Sequence, residues 1–83
     1  MSEPQEVYWE TLARMKRATL RYGSFASTHE ALGVCSEEWD ELRDAIRANK
    51  LESVREEALD LAAALLRLAE ACREPKFIDR SGK

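Results

Sequence analysis

Four carboxylates in this chain are spaced so that they can act together. Glu38 and Glu41 lie three residues apart, as do Glu57 and Asp60, and both cross-pairs (38 with 60, 41 with 57) share a midpoint at Asn49. A spacing of i, i+3 puts two side chains on the same face of a helix. If the chain folds back near Asn49 as a helical hairpin, all four meet at one level between two antiparallel helices. Carboxylates that converge in this way repel strongly unless a hard divalent cation neutralises them. The pattern therefore predicts a cage in which Glu38, Glu41, Glu57 and Asp60 bind Mg²⁺.

The commoner origin of an acidic cluster is a solvated helix face, and such a face usually offsets its acids with Lys or Arg at i+3 or i+4. None of these four has one in either direction, whereas Asp40 has Arg43 and Asp44 has Arg47. Val34, Glu38, Glu41 and Ala45 also form a stripe that borders the apolar one rather than opposing it. Asp60 stands in the most apolar helix of the chain, where an unpaired carboxylate is expensive. The ligand type then selects the metal. An all-oxygen set without His or Cys favours Mg²⁺ or Mn²⁺ over zinc or copper. Mg²⁺ held by carboxylates keeps several waters and completes its shell with substrate phosphates. Nucleotide or pyrophosphate chemistry follows, in which the metal clamps the phosphates and an activated water attacks.

Three helices must position these groups, at about 6–22, 28–48 and 53–73. Pro4 precedes the first and Gly23 stops it. Its apolar stripe is Tyr8, Leu12, Met15, Thr19 and Tyr22. Ser27 or Thr28 caps the second helix, whose core stripe is Leu32, Cys35, Trp39, Leu42 and Ile46. Ser53 and Glu56 form a capping box that opens the third, and Pro75 ends it. From Ala58 to Cys72 the third helix is apolar nearly all round, more than a chain of this size can cover. The expected fold is all-α: a helical hairpin plus an N-terminal helix, completed into a bundle by forming a homodimer or homotetramer.

Composition narrows the class. With 83 residues the chain makes one domain, 1–83, at the small end of what folds without staples, with a loose tail over 74–83. A net charge of −3 argues against a general nucleic-acid binder, and charges interrupt every apolar run before it reaches membrane-spanning length. The first residues are polar and acidic rather than signal-like, so a cytoplasmic location is the default expectation. Cys35 and Cys72 read as buried free thiols, too far apart along the proposed hairpin to pair.

The segment Glu37-Glu38-Trp39-Asp40-Glu41 followed by Glu57-Ala58-Leu59-Asp60 is similar to the EExxE…ExxD signature of the all-α nucleoside triphosphate pyrophosphatases, the MazG-like superfamily. The resemblance covers roughly residues 27 to 70 and looks like the small single-domain members. It implies an enzyme that cleaves a (d)NTP to the monophosphate and pyrophosphate, in a dimer or tetramer of helical bundles. It also implies that Glu38, Glu41, Glu57 and Asp60 bind Mg²⁺, and that Glu37 supports them or orients water. Glu37, Glu38 and Glu41 are thus the catalytic candidates. The alternative is a non-catalytic helical dimer that acts as an interaction or regulatory module.

Substrate contacts are less sharply marked. Arg67, seven residues beyond Asp60 on the same face, is the best placed cation for a triphosphate, and Lys50 is a second candidate. His29, the only histidine, is a candidate for a base pocket, although such a residue near a helix start more often caps or lies on the surface. Trp9 and Trp39 are able to stack on a base, but packing is the expectation for both.

Overall fold

The computed structural model describes residues 4–74. They form three α-helices: α1, Pro4–Tyr22; α2, Thr28–Arg47; and α3, Leu51–Ala71. The described part is all-helical, as the periodicity predicts. The tail beyond residue 74, with Pro75, lies outside the described residues.

Local chemistry sets the helix ends. Pro4 opens α1, where its missing N–H costs no hydrogen bond. Gly23 closes it at φ 78, donating its N–H to the Thr19 carbonyl at 2.8 Å. At the start of α2 the Ser27 hydroxyl accepts the Glu30 N–H at 3.0 Å, and the Glu30 carboxylate accepts the Ala26 N–H at 2.6 Å. Asn49 ends α2 in the left-handed region, at φ 57. Its N–H reaches the Ile46 carbonyl at 3.0 Å and that of Lys50 reaches Ala45 at 3.3 Å, the paired bonds of a Schellman turn.

The start of α3 corrects the sequence expectation. The chain re-enters a helix at Leu51 immediately after the Asn49 turn, so Ser53 lies inside the first turn and caps nothing. Lys50 takes the cap position without a side-chain bond, and the Val54 N–H closes onto the Lys50 carbonyl at 2.8 Å. Glu56 is engaged elsewhere, with Arg14.

Packing centres on α3, which packs against both α1 and α2, while α1 and α2 do not pack on each other. The core is built mostly from small side chains: Ala31 and Ala45 of α2, Leu59, Ala63 and Ala64 of α3, Thr11 of α1, and Phe25 from the connection. Here the large-residue stripe of α2 departs from expectation. Leu32, Trp39 and Ile46 remain 62%, 49% and 53% exposed. The stripe one residue earlier, Ala31, Val34, Glu38 and Ala45, faces α3 instead. One residue is about 100° of helix rotation, so the chosen face turns the bulky residues outward. In α1, likewise, Thr11 is buried with its hydroxyl on the Val7 carbonyl at 2.8 Å, while Leu12 is exposed. Among the described residues no helix is long and apolar enough to cross a membrane.

Candidate metal centre

The rotation of α2 that buries alanines also brings acids inward. Glu38 sits between Val34 and Leu42 on the face turned toward α3, with Glu41 beside it at the rim. Alanines above and below keep the two helices close enough for Glu57 of α3 to join them. One carboxylate oxygen each from Glu38, Glu41 and Glu57 come together with all three within 4.8 Å of one another. Among the described residues no Lys or Arg forms an ion pair with any of the three.

The electrostatic consequence is uneven. Glu38 is the deepest of the set, and its Oε2 is buried with no hydrogen-bond partner. Burial first, and then the charges of Glu41, Asp60 and Glu57, push its carboxyl up to about 7. Glu57 is also raised, by burial and then by Glu41 and Asp60, with Arg14 acting in the opposite direction. A buried acceptor without a donor, in a cluster of like charge, is the local environment that a bound cation relieves. The three groups are all carboxylates, the donor type that Mg²⁺ and Mn²⁺ take.

Asp60 does not join the three. Its Oδ1 accepts from one guanidinium nitrogen of Arg14, whose other terminal nitrogen binds Glu56 Oε1. The first of these nitrogens also reaches the Glu56 carbonyl, at 3.2 Å. The four-carboxylate cage expected from spacing is therefore three carboxylates plus an Asp60 held by an arginine. Arg14 carries no local signal that points to this role. It stands four residues after Glu10, an ordinary helical pairing distance, but the partners are exchanged across the helices. Arg55 takes both oxygens of Glu10, at 3.0 and 2.5 Å, which leaves Arg14 to Glu56 and Asp60.

The remaining candidates divide. Glu37 lies at the rim of a cavity of about 390 Å³ together with Glu38, Val34, Tyr22, Phe25 and Arg67. Arg67 stands over the Phe25 ring at 4.4 Å and donates to the Gly23 carbonyl at 2.9 Å, so it opens onto the same space as the acids. The other three substrate candidates are not brought there. His29 lines a shallow crease with Leu32, Cys35, Leu65 and Leu68. Trp9 is 66% exposed on the face of α1 that carries Leu12, Lys16 and Leu20. Lys50 is exposed in the α2–α3 turn. Neither tryptophan packs into the core as the sequence predicts, because both stand on stripes turned away from α3. The cysteines are free; Cys35 is half-buried, with burial and then Glu38 raising its thiol, whereas Cys72 is exposed rather than buried.

Comparison with models of protein families, with curated proteins and with solved structures finds no match to this chain. The chemistry of the site accordingly rests on its own geometry.

Proposed function

We propose that this chain is a Mg²⁺-dependent nucleotide pyrophosphohydrolase that cleaves a (d)NTP or an altered NTP to the monophosphate and pyrophosphate. One observation carries the proposal. Glu38, Glu41 and Glu57, from two different helices, converge without a paired cation, and the innermost oxygen has no partner. The similarity of the 37–41 and 57–60 segments to the EExxE…ExxD signature of the MazG-like enzymes supports the same chemistry. When bound, Mg²⁺ (or Mn²⁺) polarises the phosphates and lowers the pKa of a coordinated water. Glu38, Glu41 and Glu57 hold the metal, and Asp60 adjoins them. Glu37, at the rim beside Glu38, orients the attacking water. Arg67 offers its guanidinium to the phosphates or base that enter the cavity it shares with Glu37 and Glu38.

The helical hairpin formed by α2 and α3 is, in this proposal, completed by a second copy of the chain into a homodimer or homotetramer. The thin alanine core and the outward Leu32, Trp39, Ile46, Leu65 and Leu66 support that assembly. The same outward stripe, together with the neutralisation of Asp60 and Glu56 by Arg14, favours the rival reading of a non-catalytic interaction module. A panel of dNTPs and NTPs with Mg²⁺, assayed for pyrophosphate release, separates the two. Release from at least one nucleotide is expected. No release from any of them, by a protein that still binds Mg²⁺, would leave the interaction module as the better account.

A further inference from the structure

We infer that Arg14 is a built-in countercation of the acidic cleft, which withholds Asp60 from the three-carboxylate cluster and so limits its affinity for a divalent cation. The inference rests on the metal-binding role proposed above for Glu38, Glu41 and Glu57.

Arg14 is not a loose surface arm. Its side chain is only 16% exposed, with the guanidinium reaching from α1 to fork onto Asp60 and Glu56 of α3. A planar fork on two carboxylates is a fixed arrangement that a lysine cannot reproduce. Asp60 nevertheless lies one helical turn from Glu57 on α3, at the i, i+3 spacing that lets two side chains act together. Arg14 and a divalent cation therefore compete for the same carboxylate. While Arg14 holds Asp60 the site offers three ligands, and when Arg14 lets go it offers a fourth. The spacing offers Asp60 as a fourth ligand, but the fold gives it an occupant.

Mn²⁺ binding, followed by the resonance signal of the free ion, tests this without any need for turnover. Arg14→Met should tighten Mn²⁺ about tenfold, since one positive charge leaves the neighbourhood of a divalent ion and one carboxylate is freed. Arg14→Lys, which keeps the charge but loses the fork, should tighten it by less, about twofold to threefold. In an Asp60→Asn background the gain from Arg14→Met should fall by more than half, because there is no carboxylate left to free. Unchanged Mn²⁺ affinity in both Arg14 variants would overturn the inference and leave the metal site standing. Equal tightening with and without Asp60 would also overturn it, reducing Arg14 to a distant charge. If no variant and no wild-type protein binds Mn²⁺, the metal site itself falls, and this inference with it. Helical circular dichroism checks each fold; should Arg14→Met unfold, the Arg14→Lys comparison decides alone.

Discussion

Toward α1, the helix α3 presents Arg55, Glu56 and Asp60, and each of them meets a side chain of opposite charge. Toward α2 it presents Glu57, which meets Glu38 and Glu41. The first face is compensated: Arg55 with Glu10, and Arg14 with Glu56 and Asp60, tie α1 to α3. The second gathers like charge and leaves a buried oxygen without a donor. Ion pairs of the first kind at a partly exposed surface add little stability, because solvent screens them and ordering the side chains costs entropy. Repulsion of the second kind lowers stability, and the fold carries it because Ala31, Ala45, Ala63 and Ala64 pack closely on either side.

The contrast is most sharply tested by neutralising the uncompensated face. Glu41→Gln or Glu57→Gln keeps shape and removes a ligand charge, so pyrophosphate release should fall by about 100-fold or more with helicity intact. Asp40→Ala is the matched control, since Asp40 is exposed and pairs with Arg43 at 3.1 Å. A loss in Asp40→Ala as large as in Glu41→Gln would put the site on the wrong side of α2.

Metal should change the two faces differently as well. A cation that binds only the folded state at 100 times its Kd stabilises it by about 2.7 kcal/mol. Thermal melting in Mg²⁺ or Mn²⁺ should show that rise in wild type and not in Glu38→Gln. Identical melting curves with metal and with chelator would rule out the site.

A smaller effect is expected with pH in the metal-free protein. Glu38 is raised to about 7 in the folded state from an ordinary value of 4.5. A raised carboxyl favours the folded state while it is protonated, so its contribution is full below about 4.5 and is lost as pH climbs through about 7. Denaturant unfolding between pH 5 and 8 should therefore show stability decreasing, on the order of 1 kcal/mol once solvent screening is allowed for. Glu38→Gln should flatten that slope. The slope cannot come from Glu10, which Arg55 holds below the usual carboxylate range and which therefore acts only at more acid pH.

The smallest change should follow from opening the compensated face. Arg55→Gln removes the bidentate bond to Glu10 and should leave the melting temperature close to wild type. A large drop in melting temperature in that variant would mean that the α1 ion pairs contribute more to the fold than partly exposed pairs do.

What the sequence determined by itself is periodic or local. The three helices, the Gly23 stop and the Ser27 cap follow from residue types whose preferences act within a few positions. The convergence of Glu38, Glu41 and Glu57 was legible too, because symmetric spacing about Asn49 survives an error of two residues in where α3 begins. The tertiary structure alone decided the rest. On α2 two stripes, one of large apolar residues at 32, 39 and 46 and one at 31, 38 and 45 with alanines flanking Glu38, have the same period and differ by one residue. Periodicity cannot rank them; close approach between helices can, and it selects the alanines, which turns Trp39 outward and Glu38 inward. Arg14 was illegible for a related reason. Its local neighbour Glu10 satisfies the pairing rule on paper, but the rule says nothing about Arg55, a stronger competitor that arrives from 45 residues away only once the chain has folded.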